Sequence, residues 1–463
     1  MAWLVGASVG CASPDAGDTA QWTLAAAGSP ASVVVIGAGP GGMAAAMDLP
    51  GSIVLEASDR VGGRAPGSPN LMMFVGTPEQ QERHIVDSVA AAVEDWPILT
   101  GAEASAATRA FLEESAAVRD RLVDLGLRFD LVTHDPVLRR DRMHATAVGL
   151  DSTLFAGLPE DVEVRLQTRA TGLLVEDHAV VGVQTDDGAI PAATVVIASG
   201  GFVNRPDLVA RFTSWAPGTW AVGDDPGAWG DAVDWADAWS LGLAYTDAIG
   251  AAADAVGVAG EDGQAVRRVV GGPPPWILVD ASGRRFIDET QYWTVTLAGQ
   301  VHAHAPVWAV TSDVELRDVV DPDLWARVLA GCTCADDWTT LSEAIGVDPE
   351  GLLGTLAEIA DYSSTRPDPF GRSAVSLPAF TGRPCALPPG LLANKNFGGL
   401  DVDPDGRVLD TDGQVVGGLW AVGEAAGMGV PGMGGLWGFD GALSAVVWSG
   451  WRTAAAIRAE QGR

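Results

Sequence analysis

Basic residues are scarce: 28 Lys and Arg stand against 60 Asp and Glu, a formal net charge of −32. That imbalance argues against a nucleic-acid partner or an anionic membrane surface, since both need a basic patch to displace counterions; a saline habitat would produce the same acidity. Cysteine is also sparse, at Cys11, Cys332, Cys334 and Cys385, too few for a disulfide framework in 463 residues. Cys332 and Cys334 read as a buried thiol pair, and His302 and His304 as positions on a half-exposed strand. Together the four lack the usual spacings of a zinc site, so no metal is expected. No uncharged apolar run reaches the ~18 residues that span a bilayer. What is present is 47% hydrophobic and 19% charged, the composition of a globular protein. The length suggests two domains and a short extension.

The extension is residues 1–30. MAWLVGASVGC is a short apolar stretch ending in small residues and a cysteine, followed by the acidic SPDAGDTAQ. It resembles a bacterial lipoprotein signal with Cys11 as the lipidated residue, although no Lys or Arg precedes the apolar run and Ser8 stands where Leu is usual. The alternative is a frayed N-terminus of a cytoplasmic protein; an exported lipoprotein is the reading slightly preferred.

From Ser32 the run SVVVI leads into GAGPGG and the helix-forming MAAAMDL, and Pro50-Gly51 stops that helix before a second strand, Ile53 to Leu55. Residues 79 to 127 carry helical periodicity. Between Val162 and Gly201 the runs VEVRL, TGLLVED, VVGVQTDDG and ATVVIASGG predict an antiparallel meander that returns into a buried strand. Residues 250–392 differ in composition, with Pro273-Pro274-Pro275 and several tryptophans, and read as an inserted α+β cap. The expected fold is α/β: a Rossmann-like dinucleotide-binding domain over 31–249 and 393–463, with the meander and the cap. A buried strand at Gly418 to Val422 and a final helix from about Gly441 to Ala459 close the chain.

The chemistry begins at Gly37-x-Gly39-x-x-Gly42, which follows a strand and opens a helix. Gly37 permits the sharp turn, Gly39 leaves room for a pyrophosphate, and Gly42 lets the helix pack on the strand; Pro40 and Gly41 lie between them at the helix start. The free N–H groups and positive dipole end of that helix then face the phosphates. Nineteen positions after Gly37, Glu56 ends the second strand, where a ribose diol would donate to it. Glu56-Ala57-x-x-x-x-Gly62-Gly63-Arg64 resembles the ExxxxxGGR extension of FAD-binding oxidoreductases. Ala198-Ser199-Gly200-Gly201-Phe202 is similar to a strand end that contacts the flavin nucleotide, and Gly418-Leu-Trp-Ala-Val-Gly423-Glu424 to a strand whose acid holds the ribityl chain.

In this order the motifs resemble the fumarate reductase and succinate dehydrogenase flavoprotein superfamily, which also includes 3-ketosteroid dehydrogenases. Gly76-Thr77-Pro78-Glu79-Gln80, Gly230-Asp231, Gly283 to Glu289 and Asn396-Phe397-Gly398-Gly399-Leu400 extend the likeness over residues 32 to 460. The resemblance implies an FAD enzyme in which a mobile cap closes over flavin and substrate. It adds Ala170 to the cofactor contacts, as well as Gly435, Leu436 and Trp437 in a turn beside the isoalloxazine, where Trp437 would favour an apolar or aromatic substrate.

The dicarboxylate-handling groups of the superfamily do not carry over. Trp293 stands at the proton-donating arginine, Lys395 at a substrate-binding histidine, and Gly432 at a carboxylate-clamping arginine. Lys395 could attract one carboxylate or simply be solvated. Tyr292 lies within one residue of a ketosteroid-dehydrogenase tyrosine, as an acid or base toward a ring carbonyl, or else packs the cap with Trp293. No His stands in the loop Ala65 to Phe74, so non-covalent FAD is expected. No second dinucleotide motif is present, so electrons exchange with an external partner or dioxygen. The expected activity is hydride transfer between FAD and a small molecule other than a dicarboxylate. One alternative is a ketosteroid-like dehydrogenase, and another is a flavin-binding electron carrier without turnover of its own.

Overall fold

The structure, a computed structural model, describes residues 32–462 apart from 68–69, 101–102, 133–139, 215–219, 223–226, 257–265, 268–273, 291–299, 321, 323–324, 363–364 and 428–441. Cys11 and the lipoprotein-like leader therefore lie outside the described residues, as do Tyr292, Trp293, Gly435, Leu436 and Trp437.

Its organising element is a nine-stranded sheet. The β-branched strand Val34–Ile36 is buried along its whole length and pairs in parallel with Ile53–Leu55 on one side and Val195–Ile197 on the other. Val415–Ala421 pairs in parallel with Val195–Ile197, so the end of the chain completes the sheet begun at its start. Strands buried on both faces read as continuous apolar runs, as VVI, IVL and VVI do here. The first helix, Pro40–Met47, is apolar on all sides because it is covered on all sides: the last helix, Ala442–Glu460, crosses it where both carry glycine. A Cβ on Gly450 would lie 2.4 Å from the Gly41 carbonyl oxygen, so the crossing depends on small residues.

The meander is shorter than expected. Ala170–Glu176, Ala179–Thr185 and Gly188–Pro191 are antiparallel neighbours, but the VEVRL strand, Glu163–Arg165, pairs in parallel with Ile53–Leu55 at the far edge. Its alternation alone could not say which edge it would cover. The helical stretch divides into Pro78–Glu82, Val89–Thr100 and Ala106–Asp124; Thr77 opens the first with a reciprocal capping box to Gln80, and Ser105 caps the third.

Residues 276–387 form a second layered unit. Ile277–Asp280, Val307–Ser312, Pro384–Leu387 and Thr333–Cys334 make an antiparallel sheet. Strand alternation sends Leu278, Val307 and Leu387 to one face, against Leu316 and Val328, and Ile277, Val279 and Ala386 to the other, against Leu341, Leu352 and Ile359. Each face has its own helices and its own core. The unit is flanked in sequence by Ile249–Val256 and Gly390–Asn396, antiparallel neighbours in a separate four-stranded sheet. The boundaries expected after residue 249 and before residue 393 fall within these two paired strands.

Two expectations for this unit are corrected. Cys334 and Cys385 stand opposite each other in adjacent antiparallel strands and form a disulfide, which leaves Cys332, among the described cysteines, a free thiol instead of half of a pair. Proximity in space, 51 residues apart in sequence, overrides proximity in the chain. His302 lies on a helical turn over 300–303, not on a strand, and the His304 ring stacks on Phe286 with centroids 4.3 Å apart. Among the described residues, no helix is long and apolar enough to cross a membrane.

Candidate functional site

The carboxyl ends of the parallel strands meet at the start of the first helix. Gly37 donates to Leu55 O at 2.7 Å, and Ala198 donates to Ile36 O at 2.8 Å, which fixes three strand ends around one point. At Gly37, φ is +107° and a Cβ would lie 2.3 Å from the Ala198 carbonyl oxygen; at Gly42 it would lie 2.0 Å from Gly37 O. Gly39 differs from both, since nothing lies within 4 Å of its Cβ position. It is the N-cap of the helix, it offers no side-chain acceptor, and Pro40 follows at the first turn. The helix thus begins with N–H groups uncapped by the preceding side chain and with open space before them, which suits a phosphate.

Glu56 is nearly buried. Its Oε2 accepts from the Ala38 N–H at 2.9 Å, while Oε1 accepts from the Ser58 N–H at 2.9 Å and from Ser58 Oγ at 2.6 Å. These donors fix the carboxylate across the end of the glycine turn; Ala57 beside it is exposed. Thr168 donates to Glu56 O at 2.8 Å, which brings the strand opened by Ala170 alongside. Gly62 donates to Ala38 O at 2.8 Å, and a Cβ on Gly63 would approach Gly39 Cα at 3.4 Å, so the second glycine pair folds back over the first.

Farther along the crevice, Arg64 Nη1 contacts Glu424 Oε1 and Oε2 at 3.3 and 3.4 Å. Gly423 donates to Ser449 Oγ of the last helix at 3.0 Å. Ser199 Oγ is buried and has no hydrogen-bond partner among the described residues, and the neighbouring Gly200, at φ +83°, has the Gly227 carbonyl where a Cβ would stand. An orphaned hydroxyl beside uncapped helix amides fits a bound polar cofactor. Of the expected cofactor residues, Gly37, Gly39, Pro40, Gly41, Gly42, Glu56, Gly62, Gly63, Ala198, Ser199, Gly200, Gly423 and Glu424 are thus carried on adjoining strand ends and turns.

Lys395 lies on the strand Gly390–Asn396, half-buried, with Nζ 5.9 Å from the centre of the Phe397 ring. One site residue was missed. Asn396, present in the NFGGL match but given no role there, is fully buried and hydrogen-bonded to two other segments of the crevice, at Phe202 and Glu424, and to Gly398 in its own turn. An amide directly before a Phe-Gly-Gly turn is the available signal.

The family model described as FAD binding domain matches residues 32–438. The chain belongs to this FAD-binding family of oxidoreductases, and FAD is its cofactor. It is 28% identical over 282 residues to the NADH:acrylate oxidoreductase of Vibrio harveyi, covering 56% of this chain and 27% of that protein. It is 25% identical over 424 residues to the fumarate reductase (cytochrome) of Shewanella frigidimarina, covering 85% of this chain and 72% of that one. The fold matches 3-ketosteroid delta1-dehydrogenase from Sterolibacterium denitrificans with a TM-score of 0.73 at 18% identity, over 93% of this chain and 99% of the other. The chain therefore spans about a quarter of the first relative and most of the second.

Proposed function

We propose that this protein moves a hydride between a carbon of a small, largely apolar substrate and non-covalent FAD, with electrons exchanged with an external partner or passed to dioxygen. The observation that carries the cofactor half of this reading is the open, uncapped helix start at Gly39 beside the orphaned Ser199 hydroxyl. Backbone N–H groups of Gly41 and Gly42 would hold the diphosphate, Glu56 a ribose diol, and Ser199 and Glu424 the chain leading to the flavin. FAD supplies the hydride-accepting or hydride-donating centre; the protein's part is to bind it, orient it and shape the space beside it.

The substrate half rests on charge. Trp293 and Gly432 occupy two positions where dicarboxylate enzymes of the superfamily place cations, and Lys395 offers one positive charge at most to a carboxylate. A substrate with two carboxylates would lack partners for both, which is costly in a dry site. An apolar ring ketone or its saturated counterpart fits better, with Tyr292 as the candidate acid or base.

Anaerobic mixing tests this reading. Candidate ring ketosteroids should bleach the flavin absorbance while succinate leaves it unchanged, and the reduced flavin should not be reoxidised by fumarate or acrylate. Rapid reoxidation by fumarate would overturn the substrate assignment. Reversible chemical reduction with no response to any organic substrate would favour an electron carrier.

A further inference from the structure

Asn396 ends the strand that returns from the 276–387 unit to the crevice, and its side chain has a partner for each polar atom. Oδ1 accepts from the Phe202 N–H at 3.0 Å. Nδ2 donates to Gly398 O at 2.6 Å and to Glu424 O at 3.1 Å. The main-chain N–H of Asn396 donates to Glu424 Oε1 at 3.1 Å. These partners fix the amide's orientation, because the reverse assignment would set an oxygen against two carbonyl oxygens. The neighbouring position is constrained to match: a Cβ on Gly201 would lie 1.9 Å from Asn396 Oδ1 and 2.7 Å from the Glu424 carboxyl carbon.

Resting on the FAD site described above, we infer that Asn396 is a positioning residue for the cofactor, whose amide locks the Glu424 turn and the Phe202 strand end into one flavin-binding geometry. Glu424 is held from two directions, by Arg64 on the carboxylate and by Asn396 on both carboxylate and carbonyl. Asparagine is required because only an amide supplies an acceptor on one side and two donors on the other in so small a volume. Aspartate has the same shape but removes both donors and places negative charge against Gly398 O, Glu424 O and the Glu424 carboxylate.

The test is FAD affinity of the full-length Asn396→Asp variant, measured from pH 5 to 9 by flavin fluorescence, with the visible circular dichroism of the bound flavin as a second readout. Burial and Glu424 should raise the pKa of the introduced carboxyl. Once protonated it regains one donor, so FAD should bind on the order of 10- to 100-fold more weakly at high pH and recover as the pH falls, while the wild type changes little. The dichroic band should change with it. If Asn396→Asp does not fold, Gly201→Ala is read in its place; its methyl group displaces the same amide, and weaker FAD binding with an altered dichroic band is expected. Unchanged affinity and an unchanged dichroic spectrum in the variant that folds would overturn the inference. Wild-type protein that takes up no FAD would overturn the site reading itself and this inference with it.

Discussion

The crevice and the 276–387 unit are held together by different means. In the crevice, backbone meets backbone, so the determinants are positions where a side chain is forbidden: Gly37 against Ala198, Gly42 against Gly37, Gly200 against Gly227. In the inserted unit the determinants are side chains brought from far apart. Arg285 binds Glu289 at 2.7 and 2.9 Å and Asp368 at 2.9 Å, and Arg372 binds the same Glu289 at 2.9 Å, all essentially buried. Arg372 also donates to the Trp276 and Pro274 carbonyls, which ties the entry of the unit to its exit. The first arrangement leaves space for a ligand. The second leaves none, and it reads as a frame.

The largest expected effect follows from the first arrangement. Gly42→Val places a branched side chain where even a Cβ would be 2.0 Å from Gly37 O, so the helix must move off the strand and its amides away from the phosphates. FAD affinity should fall by about two orders of magnitude or more, read as loss of bound flavin after gel filtration. Retention of stoichiometric flavin would show that the glycine turn is not the cofactor's floor.

In the frame, Glu289→Gln should behave in the opposite way. Removing one charge from a buried set takes from Arg372 the carboxylate it binds and leaves Arg285 with Asp368 alone, and should cost about 3–5 kcal/mol of stability, measured by denaturant unfolding. Flavin affinity of the protein that remains folded should change far less. If affinity and stability fell together in both variants, the distinction between floor and frame would collapse.

These two regions also divide what the sequence discloses from what it hides. Gly37, Gly39 and Gly42 announce a turn because their spacing is local and their conformations are forced, and Glu56 follows at the interval that one helix and one strand impose. Arg285 and Glu289 were visible as part of a motif, but their partners Asp368 and Arg372 lie in a stretch without periodicity, and nothing local joins them. The Cys334–Cys385 bond was missed for the same reason, since register between distant strands is a tertiary fact. Glu163–Arg165 reads as a strand, but its parallel pairing with Ile53–Leu55 instead of a place in the meander is likewise a tertiary fact. Asn396 stands in a recognisable motif, but its role does not show there because two of its side-chain partners, Phe202 and Glu424, belong to other segments. Cys334→Ser tests this class of long-range tie: opening a disulfide with a 51-residue separation should cost about 2–4 kcal/mol, with flavin binding retained in the folded protein.

The smallest effect concerns acid, and it should touch the crevice side first. His144 is fully buried on Met143–Ala145, which pairs with Leu71–Met73, and Met73 in turn donates to Ser444 Oγ of the last helix at 3.1 Å. The ring is edge-on to Phe74 and Phe129; Nδ1 donates to Arg142 O at 2.8 Å, and Nε2 lies 2.9 Å from Thr77 Oγ1. Burial, aided by Arg119 and Arg83, pushes its pKa below the usual histidine value and outweighs the opposing pull of the Arg142 carbonyl and Glu79. A histidine so depressed takes up its proton more readily when unfolded, so its contribution is present above about pH 6.5 and is lost as the pH falls, by at most about 1.4 kcal/mol per unit. Amide hydrogen exchange, corrected for intrinsic rates, should therefore show 71–80 and 142–146 opening more easily at pH 5.5 than at 7.5. Exchange over 276–287 should change little, and His144→Gln should remove the difference. Equal loss of protection in both regions would mean that acid acts through the frame as well.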